Sequence, residues 1–355
     1  LARQTAASMG LLSSQTAAES APSAPASRHL MEKFHHPRYL DILQAAQAGH
    51  LDPSGLEAGL GTPDCPVFAG MYDYAALACG ATLTGAELLT SGEADVAFNP
   101  SGGYHHAHPA RAAGFCYVND VVLACMHLAE SLGRVLFVDV DAHHCDGVQE
   151  AFYDRPDVMT ISLHESGLTL FPGTGSVTET GLDSGTGRSV NVPLPAGTYD
   201  EIFLKAFAEI VPPLAGAFDP AAVVLEVGAD GLAADPLAHL ELTNNAYASV
   251  VEMVLNLGKP LLVTGGGGYH VENTARAWAL CWSVICGADP REDISAGLGG
   301  VMLETTEWQG GLRDRQRPVA HEARTSLEPA VRQSLDRVKA AVFPLHGLST
   351  ERIAS

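Results

Sequence analysis

The chain has 355 residues, 46% of them hydrophobic, with 36 glycines and a formal net charge of −21. That length and apolar content suit one large α/β domain with a sizeable core. The 41 acidic against 20 basic residues exclude a basic nucleic-acid-binding face and at most favour basic peptide partners. No apolar run reaches membrane-spanning length, and residues 1–12 do not read as a signal peptide. The seven cysteines include no C-x-x-C pair and are odd in number. They are expected to be reduced thiols of a cytoplasmic protein rather than a disulfide framework or a zinc knuckle.

In chain order, residues 13–27 are rich in Ser, Ala and Pro and are expected to form a mobile loop. Helices are predicted at Leu40–Ala48 and Tyr74–Leu89, then a strand at Val96–Phe98. Gly102-Gly103-Tyr104-His105-His106 follows, ahead of a helix at Val118–Leu132. A strand at 134–139 runs into Asp139-Val140-Asp141-Ala142-His143-His144-Cys145-Asp146. Further strands are predicted at 157–163, 188–193 and 221–227, with a helix at 199–216. The last of these strands leads into Gly228-Ala229-Asp230. A helix at 244–256 precedes Pro260 and a strand at Leu261–Thr264. The run Gly265 to Gly268 and Tyr269 come next, followed by helices at 271–285 and Val331–Val342. This alternation predicts a parallel sheet with helices on both faces. In three of the four polar segments, the polar residues follow a β-like apolar run, where open parallel sheets place their sites.

The residue types point to a metal-assisted hydrolase. Asp141, His143 and Asp230 supply two carboxylates and an imidazole, and leave zinc an open position. Such an ion polarises a carbonyl and acidifies water. His105 and His106 can act as general base and acid. Asp139 and Asp146 can each orient one imidazole. The Tyr269 hydroxyl can donate to a developing oxyanion. An isolated His-His pair is more often a surface or core feature, and Asp139 and Asp141 could be helix caps. Two inward carboxylates beside an apolar run are costly unless paired or metal-bound, which favours the sharper reading. The glycine run lacks a following G-K-[ST], so it is expected to bring backbone close to the site rather than to cradle phosphate. His35, His36 and His108 are expected to be structural or surface histidines, and Glu226 has no role readable from sequence.

The stretches FNPSGGYHHAHPARAAGFCYVND, RVLFVDVDAHHCDGVQEAFY, ISLHESGLTLFPGTG, LEVGADGLAADPLAHL and GGGGYHVENTARAW resemble the zinc-dependent histone deacetylase superfamily. The resemblance is nearest to its class I and acetoin-utilisation (AcuC) types, in order and spacing. It implies a single three-layer domain of the arginase–deacetylase type, a parallel β-sheet sandwiched by helices. Family domains begin earlier, so the chain reads as lacking its first strand. Residues 1–345 are expected to form the deacetylase domain and 346–355 a tail.

The resemblance implies zinc, or ferrous iron, on Asp141, His143 and Asp230. It implies a base/acid pair at His105 and His106 backed by Asp139 and Asp146, and a transition-state tyrosine at Tyr269. Gly114, Phe115, Phe171 and Leu237 would line the acetyl-lysine tunnel, with Asp64 at its rim holding substrate backbone amides. Asp139, Ser162 and the carbonyls of Asp141, His143 and Leu163 would hold a structural potassium ion. Cys145 stands where the family has glycine, which would be strained at positive φ. Pro236 and Glu272 replace arginines that bind inositol phosphate in class I relatives, so that ligand is not expected. The implied reaction is deacetylation of Nε-acetyl-lysine in proteins or peptides, acetyl-CoA synthetase being the implied target of an AcuC-type enzyme. The alternatives are an acetylpolyamine or small-amine deacetylase and a catalytically silent acetyl-lysine-binding homologue.

Overall fold

The computed structural model describes residues 1–13, 17–20, 24–288 and 312–350. Six parallel strands lie among them: β1 (Val96–Asn99), β2 (Val135–Asp139), β3 (Val158–Glu165), β4 (Ser189–Leu194), β5 (Ala222–Glu226) and β6 (Leu261–Thr264). Their spatial order is β1-β6-β5-β2-β3-β4. All six predicted strands are present. Every residue of β2, β3, β5 and β6 is buried, as continuous apolar runs require when both faces are covered.

The alternation along each strand divides the core. Leu136, Val138, Ile161, Val223 and Val263 pack with α8 (Asp200–Phe218), α9 (Asn244–Leu255) and the C-terminal helix His321–Val342. Val135, Phe137, Val158, Val224 and Leu262 pack on the opposite face with α5 (Met71–Ser91), α6 (Asp120–Leu132) and α7 (Asp146–Phe152). The remaining helices are α1 (Ala2–Ser8), α2 (Arg28–Met31), α3 (Pro37–Gln47), α4 (Pro53–Glu57) and α10 (Val271–Ile285). Helix α5 is longer than predicted because Gly70 and Gly92 bound it in the left-handed region. The C-terminal helix begins ten residues before the predicted Val331, since its polar first half carries little apolar periodicity.

The expected loop 13–27 lies partly outside the described residues, as do 351–355 of the expected tail. Where 13–27 is described, Ser13 bridges Ala18, and buried Ala26 donates its N–H to the carbonyl of Ala76 on α5.

The register produces one feature that positions the site. Asn99, Thr264, Glu226, Asp139, Ser162 and Asn191 are successive partners across the whole sheet. Register partners share a face, so a polar row crosses the C-terminal end of the sheet on the α5–α7 side. Chain order reverses between β2 and β5, and the crevice at such a switch point is where parallel sheets bind ligands.

Candidate active site

Four loops leave that end of the sheet. The loops after β2 and β5 bring Asp141, His143 and Asp230 together, each with one ligand atom within 4.8 Å of the others. Strand β2 stops at Asp139, so Asp141 lies in the turn beyond it rather than on the strand. His143 Nδ1 is 3.1 Å from Asp141 Oδ1 and 2.8 Å from Asp230 Oδ2. Asp141 Oδ2 accepts the N–H of Gly267 at 2.7 Å, and Asp230 Oδ1 that of Ala142 at 2.8 Å. The glycine run therefore lies directly on the ligands: a Cβ at Gly267 would sit 2.2 Å from Asp230 Oδ2. Burial, and then the charge of Asp141, push Asp230 up to about 7. That is the cost of adjacent carboxylates in the interior. A divalent cation offsets this cost, and two carboxylates with one imidazole are donors that zinc or ferrous iron accepts. The residues fit such an ion.

The loop after β1 places both imidazoles beside this group. The rings of His105 and His106 have centroids 4.1 Å apart, and that of His106 is 5.9 Å from His143. His105 Nδ1 pairs with Asp139 Oδ2 at 2.8 Å and His106 Nδ1 with Asp146 Oδ1 at 2.7 Å. Burial, then the charge on His105, pull His106 down to about 4. Burial also opposes a charge on His105, but Glu226 and then Asp139 outweigh it and hold that imidazole well above its usual range. The loop is anchored by residues not singled out from sequence. Asn119 Nδ2 donates to the carbonyls of His105 and Ala107, and the Asp120 carboxylate accepts the N–H groups of Gly103 and Tyr104. The ring of Tyr269 is 6.5 Å from that of His143. Burial, then the charges of Asp230 and Asp141, push its phenol far up, so it keeps its proton.

The histone deacetylase domain matches residues 2–285. The chain belongs to the histone deacetylase family. It is 45% identical over 271 residues to histone deacetylase 8 of Xenopus tropicalis, covering 76% of this chain and 73% of that one. It is 42% identical over 277 residues to the acetoin utilization protein AcuC of Bacillus subtilis (strain 168), covering 76% and 72%. The crystal structure of a histone deacetylase homologue complexed with SAHA superposes with a TM-score of 0.83 at 31% identity, over 95% of this chain and 92% of that one. A homologue from Aquifex aeolicus gives 0.82 at 32% identity, with the same coverage. The fold is thus the arginase–deacetylase fold, and the protein is a deacetylating hydrolase.

Around this group of residues, the large apolar side chains of Phe115, Phe171 and Leu237 are exposed. Phe115 rests on Tyr269, with centroids 5.5 Å apart, and Phe171 stands edge-on to His106 at 5.0 Å. Gly114 has φ +51°, and a Cβ there would meet His106 Cδ2 at 2.4 Å, so the wall cannot carry a side chain at this point. Asp64 braces the same turn. Its Oδ2 accepts the N–H of Gly114 and its carbonyl that of Phe115. Asp235, also missed from sequence, accepts the N–H groups of Leu237 and Tyr269 and so ties rim to site.

Asp139 and Ser162 are register neighbours; Asp139 Oδ1 accepts the N–H of Asp141, and Ser162 Oγ pairs with His164 Nδ1. Leu163 is buried next to Ser162 in β3. Cys145 has φ −76° and is buried against the α5–α7 core, so the backbone there needs no glycine. Burial raises its thiol pKa, and it belongs to neither group of possible metal ligands among the described residues.

Glu226 is the largest omission of the sequence reading. It is fully buried beside Asp139, with Oε1 3.1 Å from His105 Nδ1 but neither oxygen aligned in a hydrogen bond. It forms a second possible ligand group with His105 and Asp141. Because His105 Nδ1 is already committed to Asp139, the Asp141–His143–Asp230 group is the better metal site.

Proposed function

We propose that this deacetylase removes the acetyl group from Nε-acetyl-lysine in proteins or peptides, with zinc or ferrous iron on Asp141, His143 and Asp230. The observation that carries the reading is the convergence of that ligand group, the His105–His106 pair and the Tyr269 hydroxyl behind two aromatic walls. A bound metal ion supplies Lewis-acid polarisation of the acyl carbonyl and lowers the pKa of water. The protein's own groups do the rest. The Tyr269 hydroxyl donates to the oxygen on which charge develops. His106 donates its Nδ1–H to Asp146, which leaves Nε2 able to take a proton from attacking water and return it to the leaving amine. His105, held by Asp139 and Glu226, lends positive charge beside the reacting atoms. Asp139, Ser162 and the carbonyls of Asp141, His143 and Leu163 are assigned to a structural potassium ion.

Phe115, Phe171, Gly114 and Leu237 shape an apolar passage for the lysine methylenes. Asp64 at the rim accepts substrate backbone amides, which favours a peptide over a small amine. The net charge of −21 suits a basic peptide segment, and the likeness to AcuC makes acetyl-CoA synthetase a candidate target. Seven cysteines without disulfide partners suit the cytoplasm. The test is metal analysis together with kcat/KM on an acetyl-lysine peptide and on an acetylpolyamine, for wild type and Asp64→Ala. The peptide reading requires that Asp64→Ala depress peptide turnover much more than polyamine turnover. An unchanged ratio, or a wild type that prefers the polyamine, replaces it with the small-amine reading. Metal binding without turnover of either replaces it with a silent binding homologue.

A further inference from the structure

The catalytic loop carries a third imidazole that this chemistry does not use. His108 stands between two carboxylates of α7. Its Nδ1 is hydrogen-bonded to Glu150 Oε2, and its Nε2 lies 3.3 Å from Asp146 Oδ2. The other oxygen of Asp146 is the one that holds His106. The side chains therefore alternate as imidazole, carboxylate, imidazole, carboxylate, from buried His106 to exposed Glu150. The Nε2 atom of His108 is itself buried and has no aligned hydrogen-bond partner, so its contact with Asp146 is an ion-pair approach. Burial opposes a charge on this ring, but the facing carboxylates of Asp146 and Glu150 outweigh it and raise the pKa. Arg111 on the same loop and His35 beneath it are the other titratable groups bearing on it. A cavity of ≈ 530 Å³, lined among others by His108, Asp146, Glu150 and Phe171, opens the row to solvent beside the tunnel wall.

We propose that His108 is a positioning residue for deacetylation: by occupying Oδ2 of Asp146 it fixes the carboxylate in the orientation in which Oδ1 aligns His106. The inference rests on the assignment of proton transfer to His106. Asp146 Oδ1 is shared between His106 and the N–H of Gly147. A carboxylate free at its other oxygen can turn about its terminal torsion and carry the imidazole with it. Misplacement of a reacting group by 1 Å costs about 100-fold in rate. The competing view makes His108 only an ion-pair partner of α7, which would contribute to stability and nothing to turnover.

The experiment uses the metal-loaded chain and the variants His108→Ala, Glu150→Gln, Asp146→Asn and His108→Ala/Asp146→Asn. The expected result for His108→Ala is a fall in kcat on the order of tenfold, with KM and metal content unchanged. Glu150→Gln should fall in the same direction by less. In the Asp146→Asn background His108→Ala should cost nothing further, because its effect passes through that carboxylate. Added imidazole, which the cavity admits, should restore turnover to His108→Ala but not to the double variant. The downfield ring N–H proton resonance of His106 should broaden in His108→Ala. Wild-type kcat in His108→Ala, or the same loss in both backgrounds, overturns the inference while leaving the proposed function intact. Wild-type kcat in Asp146→Asn overturns the assignment of His106 instead. Should His108→Ala fail to fold, His108→Gln and Glu150→Gln carry the same cycle.

Discussion

His35 is fully buried, and its Nε2 accepts the N–H of Asn119 at 3.0 Å, the residue whose amide holds the carbonyls of His105 and Ala107. Burial, opposed only in part by the carbonyls of His108 and Pro109, lowers this imidazole from its ordinary 6.5 to about 4. In the unfolded chain the ring takes a proton as pH falls through about 6.5, while the folded protein refuses it until about 4. The folded state then binds fewer protons than the unfolded one, so stability falls as pH drops through that window. It is complete above about 6.5 and levels off below about 4. At about 1.4 kcal/mol per pH unit, the gap from 6.5 to about 4 corresponds to about 3 kcal/mol from this one ring. His35→Gln keeps an acceptor for Asn119 but does not titrate. Urea unfolding of both proteins at pH 7, 6, 5 and 4 should give a variant less sensitive to acid, the difference approaching about 1.4 kcal/mol per pH unit between pH 6 and pH 4. Parallel pH dependences would refute the argument that burial of His35 sets it.

Tyr269→Phe should retain metal and fold but lose on the order of 100- to 1000-fold in kcat, the usual value of one oxyanion donor; steady-state kinetics with parallel metal analysis checks this. Asp141→Ala and Asp230→Ala should lose the metal on dialysis, whereas His106→Ala should keep it and lose turnover. If His106→Ala also empties the site, base and ligand have been confused. Gly114→Ala should lower kcat sharply, with metal content retained, because the added Cβ meets His106 Cδ2 at 2.4 Å. Turnover at the wild-type level would show that the turn gives way instead.

Much of this protein is determined locally. Buried parallel strands are written as apolar runs, because both of their faces are covered, so 134–139 and 261–264 can be read directly. The polar residues that follow those runs announce the site, since backbone direction alone carries them to one end of the sheet. The spacing of Asp141 and His143 marks candidate ligands in the same way. Tertiary structure decided what depends on partners distant in sequence. Glu226 reads as an ordinary strand end until the pairing of β5 with β2 sets it beside Asp139 and His105. His35 reads as the flank of a helix until Asn119, 84 positions later, makes it an acceptor beneath the His105–His106 loop. His108 becomes a partner of Asp146 only when α7 packs against the His105–His106 loop. Backbone periodicity is a property of consecutive residues, whereas burial of a charge and the identity of its counter-charge are properties of the packed chain. The sequence therefore names the chemical groups, and the fold decides how those groups are paired.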